Sequence, residues 1–293
     1  MKYGPQLCAE FDGRIPVRCV VERKFDGILA LWDGADLWKR RGDRITKKFP
    51  EIRPPANMVL LGEVVCFAAP WVAPVDTARD DFGAVEGRVM RENPVDIRLA
   101  SRARPAHFIA FDVLAVDGAD VQARRYEERR RALDAAARRF HSAWNGEGHV
   151  VVPPIYPCGS REALEAHLIR AVSEGWEGVV LKDLDAPYAP TPPDSKARPP
   201  HYLKFKLWEQ RWFPILRWER TESGGFVVFV ANKGREQKVA LGSVKLQEQV
   251  VAGAAKSVFV RFLIHGSEAA EPGAMRQATV RAVSHQVKEG TEW

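Results

Sequence analysis

The sequence predicts an α+β protein in two parts: residues 1–208 as antiparallel sheets with helices, then residues 209–293 as a small all-β barrel. Three observations carry this reading. In the first part, short runs of β-branched and aromatic residues are divided by Asp-Gly pairs, the turn chemistry of antiparallel strands. Two stretches, Tyr126–Phe140 and Ser160–Glu174, space their apolar residues for helices. From about Glu209 onward the texture shifts to short, regularly spaced strands with Gly-containing turns.

In chain order, Met1–Arg18 reads as irregular, punctuated by Gly4, Pro5, Gly13 and Pro16. Val17–Val21, Ile28–Trp32 and Asp36–Lys39 are expected to form a meander turning at Asp26-Gly27 and Asp33-Gly34. A basic segment, Lys39–Pro50, precedes an apolar strand over Met58–Phe67 that is interrupted by Gly62-Glu63. A carboxylate in such a strand is seldom buried without a partner or a metal, so Glu63 is either water-facing or functional. Ala68–Ala106 is expected to hold a short helix near Phe82–Met90 and an exposed loop around Asn93–Pro105. His107–Val116 is the next strand. In the helix over Tyr126–Phe140, Leu133, Ala136, Ala137 and Phe140 share one face, which leaves Arg129-Arg130-Arg131 to a solvated face.

The second helix opens at Ser160 as N-cap and stops at Gly175. Trp176–Lys182 then carries a carboxylate at its start and a lysine at its end, and Pro187–Pro200 is a proline-rich loop. Tyr202–Trp208 alternates lysine with apolar residues at period two. Lys204 and Lys206 therefore share one strand face, a place for phosphate. Phe213–Trp218, Gly225–Val230, Gln237–Ala240 and Ser257–Ile264 are the barrel's strands, and the five-stranded oligonucleotide-binding barrel is the commonest such fold with a nucleic-acid partner.

Composition narrows the class. Hydrophobic residues at 46% and charged residues at 28% are globular values, and a net charge of +6 spread along the chain suits contact with a polyanion over a broad face. Cys8, Cys19, Cys66 and Cys158 lie far apart, so neither a zinc site nor a disulfide framework is indicated and reduced thiols are expected. Without a signal-length or membrane-length apolar run, the expectation is a cytoplasmic, intracellular protein with no membrane partner, of bacterial, viral or phage-host setting.

The candidate nucleophile is Lys24, in Glu22-Arg23-Lys24-Phe25-Asp26-Gly27. Between two buried strands and beside Arg23, its ammonium is expected to be desolvated and lowered in pKa, which frees the amine lone pair. A lone Lys-x-Asp-Gly would read as an ordinary turn. Its company changes that: Arg40-x-Gly42, Gly62-Glu63, Glu177-Gly178-Val179-Val180-x-Lys182 and Lys204-x-Lys206 follow in order.

This ordered set resembles the covalent nucleotidyltransferases, and among them the ATP-dependent DNA ligases in their small two-domain form. Softer matches are Thr46-x-x-Phe49-Pro50-Glu51-Ile52, Asp81-Phe82, Phe111-Asp112-Val113-Leu114 and Tyr126-Glu127-Glu128-Arg129-Arg130. The resemblance runs from about Pro5 to Trp208. It implies a nucleotidyltransferase (ATP-grasp-like ligase adenylation) core followed by an OB-fold barrel, with no room for an N-terminal helical DNA-encircling domain. It also implies ATP and Mg²⁺ (or Mn²⁺) as cofactors, nicked duplex DNA as partner, and a monomer whose two domains close over the nick.

By that resemblance Lys24 takes AMP from ATP as a phosphoramidate, with Lys204 and Lys206 on the α-phosphate. Glu22 accepts from the adenine amine, Phe111 stacks on the base, and Arg40 meets the nucleotide and the 5′-phosphate of the nick. Asp26, Gly27 and Lys182 belong to the cofactor site, Glu63 to the ribose and metal, and Glu177 to the metal. The chain departs from the family at Leu29, where many relatives carry an arginine that contacts ribose and phosphate. A closing basic motif is also unclear in Met275–Arg281, where Arg276 and Arg281, or else Lys256 or Arg261, would serve the pyrophosphate step. The same lysine chemistry serves RNA ligases and RNA capping guanylyltransferases, and an inactive nucleic-acid-binding relative is the reading from another class.

Overall fold

A computed structural model describes residues 2–69, 75–139, 149–192, 195, 198–222, 224–232, 235–252, 255–263 and 276–284. The chain divides into two compact units, Met1–Lys206 and Leu207–Trp293. In chain order the first unit contains β1 (Ala9–Glu10), β2 (Cys19–Lys24), β3 (Ile28–Trp32), β4 (Leu37–Lys39), β5 (Met58–Cys66), α1 (Phe82–Val89), α2 (Pro94–Ala103), β6 (Ala106–Val116) and β7 (Ala119–Asp120). It continues with α3 (Tyr126–Arg139), β8 (Val150–Val151), β9 (Tyr156–Pro157), α4 (Arg161–Ser173), β10 (Gly178–Asp183) and β11 (Tyr202–Lys206).

These strands make two sheets. One runs β1-β11-β10-β2-β9; the other runs β4-β3-β5-β6-β7, with β8 also paired to β6. The expected meander is therefore broken at Asp26-Gly27. β2 and β3 belong to different sheets, and the bend is a crossing between them, not a hairpin turn. Gly27 is needed there because a Cβ would lie 2.2 Å from the Val64 carbonyl and 2.9 Å from Glu63 Cγ on β5. The hairpin at Asp33-Gly34 does form, between β3 and β4: Gly34 takes φ +102°, and Asp33 Oδ1 accepts from the Asp36 amide at 2.8 Å.

Where an exposed loop was expected around Asn93–Pro105, helix α2 forms instead. Asn93 accepts from the Val95 amide at 2.8 Å as N-cap, and Pro94 takes the first turn, where its missing N–H costs nothing. Helix α4 starts at the expected cap, with Ser160 Oγ accepting from the Ala163 amide at 3.2 Å. Phe140, assigned to the end of α3, lies outside the described residues. The core between β5, β6, α1 and α3 gathers Phe49, Leu60, Val64, Val85, Phe108 and Leu133, all fully buried.

The second unit is a closed barrel ordered β12-β13-β14-β16-β15, from β12 (Trp208–Arg220), β13 (Phe226–Asn232), β14 (Arg235–Ala240), β15 (Ser257–Leu263) and β16 (Arg276–Ser284), with α5 (Val244–Val251) between the third and fourth strands. That order, with the helix in that place, is the oligonucleotide-binding barrel topology. β16 carries both Arg276 and Arg281, so the segment expected to hold a closing basic motif contributes a strand of the closed barrel. Phe213, Val228, Val230, Val258 and Val260 fill the interior. No described helix is long and apolar enough to cross a membrane.

Candidate active site

Within the first unit a pocket of about 290 Å³ is lined by Glu22, Lys24, Arg40, Glu63, Phe111, Lys182 and Lys204 from the expected set. Gln6, Leu7, Cys8, Leu29, Arg198 and Tyr202 line it too. Glu177 and Lys206 adjoin it through Lys24. Asp26 and Gly27 are not on its wall: the Asp26 amide donates to Asp80 Oδ2 at 2.9 Å, and both residues serve the crossing between sheets. Among the described barrel residues, Arg281 and Lys256 are exposed.

Period two along β2 places Glu22 and Lys24 on one face, while Arg23 points the other way. Arg23 is buried against Asp80 at 2.9 Å and donates to the Val75 and Asp76 carbonyls. It is thus not the neighbouring cation expected to depress Lys24. Lys24 instead donates to Glu177 Oε2, and Lys206 Nζ holds the other oxygen of Glu177 at 2.8 Å. Burial works against the Lys24 ammonium, but Glu177 and Glu63 outweigh it and hold its pKa above the ordinary lysine value, the reverse of the sequence expectation. Burial likewise opposes the Glu177 carboxylate, yet Lys24 and Lys206 keep it below the usual range.

The register explains this meeting. Gly178 pairs with Lys24 on one side and Lys206 on the other, and a Cβ on Gly178 would sit 2.0 Å from the Phe205 carbonyl. The Glu-Gly of Glu177-Gly178 thus lets three strands pass closely enough to seat one carboxylate between two ammonium groups. Glu63, opposite Leu29 across β3 and β5, is pushed up to about 8, chiefly by burial, with Lys24 opposing and Glu177 and Asp80 adding to the rise. Lys204 reaches Glu10 at 3.0 Å, and Arg40 and Arg198 both donate to the Ser195 carbonyl, at 3.3 and 3.2 Å.

The other end of the pocket is closed. Glu22 Oε2 meets Lys182 Nζ at 2.7 Å, and Glu22 Oε1 accepts from the Tyr126 hydroxyl and from Arg130 Nη1 at 3.4 Å. Lys182 lies within 4.5–4.9 Å of the ring centres of Phe111, Tyr126 and Tyr202 and donates to the Phe111 carbonyl at 3.0 Å. Burial lowers its pKa, with Glu22 opposing. Below, Asp112 and Arg129, neither exposed, pair at 2.9 and 3.1 Å and share the Tyr202 hydroxyl. Arg129 and Arg130 were expected on a solvated helix face. They are buried because β6 and β2 supply carboxylates beneath α3; Arg131 alone of the triplet is exposed.

Phe111 is half-buried, packed with Leu29 and Tyr188 and open to the pocket. Sequence reasoning missed Gln6, Leu7, Cys8, Arg198 and Tyr202, which come from irregular segments or, for Tyr202, from a position read as a sheet hydrophobe. Among the described residues no group of three or more His, Cys, Asp or Glu converges to hold a metal ion.

Residues 9–206 match the model of the ATP-dependent DNA ligase domain. The chain belongs to that family. It is 30% identical over 217 residues to a probable DNA ligase of Streptomyces avermitilis, covering 70% of this chain and 39% of that protein. It is 27% identical over 213 residues to the multifunctional non-homologous end joining protein LigD of Mycolicibacterium smegmatis, covering 69% of this chain and 23% of that one. This ligase-family chain therefore spans about two fifths or less of those relatives' lengths. Among solved structures, a Lig E DNA ligase shares the fold at TM-score 0.70 and 21% identity, covering 96% of this chain and 99% of that one. A mycobacterial DNA ligase D complexed with ATP and MES does so at TM-score 0.55 and 21% identity, covering 97% and 95%.

Proposed function

We propose that this chain is an ATP-dependent DNA ligase that seals nicks in duplex DNA through a lysyl-AMP intermediate. The observation that carries the reading is the seat of Lys24: a lysine on a nucleotide-sized pocket wall, hydrogen-bonded to a carboxylate that a second lysine shares. In the first step Lys24 Nζ gives up a proton and forms a bond to the α-phosphorus of ATP as the bond to pyrophosphate breaks. Because the ammonium is held charged, it attacks only once that proton has passed to solvent on the pocket's open side, where 21% of the Lys24 side chain is exposed. Lys204 and Lys206 offset the charge that builds on the non-bridging oxygens, and Arg40 binds phosphate at the pocket's rim.

The AMP then passes to a 5′-phosphate, and the 3′-hydroxyl displaces it to close the strand. Glu63 and Glu177, hard oxygen donors, would hold Mg²⁺ together with the nucleotide's own phosphates, an arrangement that suits an ion needing only one or two protein carboxylates. That ion supplies charge neutralisation at the reacting phosphate. Residues 1–208 would act as the adenylation domain and residues 209–293 as the OB-fold domain on DNA.

Incubation with α-labelled ATP or GTP and Mg²⁺, followed by nicked DNA or nicked RNA, tests the reading. Covalent label from ATP, absent in Lys24→Ala and transferred to nicked DNA, is the expected result. No label on the wild type, or equal label on Lys24→Ala, refutes the mechanism, and transfer to RNA alone refutes the substrate.

A further inference from the structure

The backbone pairing that brings Lys24 and Glu177 together ends where they begin. Lys24 is the last residue of β2, Gly178 the first of β10 and Lys206 the last of β11, and the pairs Gly178–Lys24 and Gly178–Lys206 are the end rungs of their ladders. Glu177 lies one residue beyond them. Behind this end of the sheet runs a strap of residues 75–80, which opens with a tight turn at Val75–Thr77. Its Asp76 carbonyl accepts from Trp176 Nε1 at 2.8 Å and from Arg23 Nη1 at 3.1 Å, which fills both lone pairs of that oxygen. Trp176 and Arg23 immediately precede Glu177 and Lys24. One main-chain oxygen is therefore bonded to both strands, one residue before each member of the ion pair.

The strap holds the other side of Lys24 as well. Asp80 Oδ2 accepts from the Asp26 amide at 2.9 Å, while Asp80 Oδ1 lies 2.9 Å from Arg23 Nη2, so one carboxylate joins the residues flanking the nucleophile. The strap is anchored in turn: Asp76 is buried, and its Oδ2 accepts from the Tyr156 hydroxyl and lies 3.5 Å from Arg170 Nη2 on α4. The Arg23 guanidinium sits 4.6 Å from the Phe25 ring centre and 5.8 Å from that of Trp176. An apolar side chain could fill this space without the cost of burying a charge. What the guanidinium adds is directed contacts to two carbonyls and a carboxylate, which hold strap and strand end in one arrangement. We infer that Arg23 and Trp176 are positioning residues, which set the Lys24–Glu177 pair through the Asp76 carbonyl at the back of the sheet. Both side chains are fully buried, so neither touches ATP. Attack at phosphorus needs the amine held at a fixed distance and angle, and misplacement by about 1 Å can slow such a step about 100-fold. This rests on the lysyl-AMP chemistry proposed at Lys24.

The test follows the rate and the extent of covalent labelling of the full chain by α-labelled ATP, for wild type, Trp176→Phe, Arg23→Lys and the double variant. Trp176→Phe keeps a ring beside the guanidinium but has no N–H for the Asp76 carbonyl. Arg23→Lys keeps the charge but not the fork that spans carbonyl and carboxylate. Each is expected to slow the saturated rate about tenfold, with half-saturating ATP within about twofold of wild type and the same final fraction of protein labelled. A loss of stability alone would lower the labelled fraction and leave the rate constant of the folded remainder unchanged. Because both side chains act through one carbonyl, the double variant should lose less than the product of the two single losses. Trp176→Phe, the milder change, decides alone if Arg23→Lys does not fold. Wild-type rate constants in the single variants, a raised half-saturating ATP in place of a slower rate, or losses that multiply in the double variant overturn the inference while the ligase reading stands. A wild type that takes no label sinks the ligase reading, and the inference with it.

Discussion

Two residues apart on one strand, Glu22 and Lys24 face the same pocket with opposite surroundings. Glu22 is 3% exposed and gripped by three donors, above a second buried layer of Asp112, Arg129 and Tyr202. Lys24 keeps 21% of its side-chain surface open and shares one carboxylate with Lys206. A buried carboxylate held by several donors gains strength from low dielectric and is fixed in one geometry. The Lys24 ammonium reaches the open wall while its carboxylate partner stays buried between two lysines. On the proposed function, the end at Glu22 is the rigid one that would face the base, and the end at Lys24 the open one where a proton would leave and a phosphate arrive.

Breaking the closed end should cost most. Asp112→Ala leaves Arg129 as an uncompensated buried cation and is expected to destabilise the first unit by about 3–5 kcal/mol, read by urea denaturation. If the loss is under about 1 kcal/mol, the layer beneath Glu22 is not the support described here.

The open end predicts a pH dependence of the opposite kind. A carboxyl raised to about 8 in the folded state keeps a proton that the unfolded chain has already released. Glu63 therefore withdraws stability as pH rises from about 4.3 to about 8, with the full loss felt above that window. In the absence of divalent cations, Glu63→Gln should raise the melting temperature at pH 8 by roughly 2–4 °C, about 1 kcal/mol, and change it little at pH 5. Equal shifts at both pH values would mean that Glu63 is ionised throughout.

The smallest expected effect sharpens the contrast. Tyr126→Phe removes one donor from Glu22 while Lys182 and Arg130 stay, and should cost about 0.5–1.5 kcal/mol of stability. Because the loosened carboxylate is the proposed amine acceptor, the half-saturating ATP concentration should rise while the saturated adenylation rate holds. A change in rate alone would tie Tyr126 to the nucleophile instead.

The candidate site residues were legible as an ordered set: Lys24 alone reads as part of an ordinary turn and is singled out by its company, while the others depart locally from their surroundings. Lys24, Glu63 and Glu177 are polar interruptions of apolar strands, and Lys204 and Lys206 alternate at strand period. The cap at Ser160 and the turn at Asp33-Gly34 were legible for the same reason: both are settled within a few residues. Only the tertiary structure decided that β2 and β3 part into different sheets, since Asp26-Gly27 reads as a turn until β5 is seen to press on Gly27. The buried fates of Arg129 and Arg130 needed carboxylates from β6 and β2, far away in the chain. The direction of the Lys24 shift turned on Glu177 and Glu63 arriving from two other strands, and the pairing of Gln6 with Ala189 on a loop more than 180 residues away. Residue type and spacing determine which groups are unusual. Long-range packing alone determines which charges face one another, because electrostatic balance depends on distance through space and not along the chain.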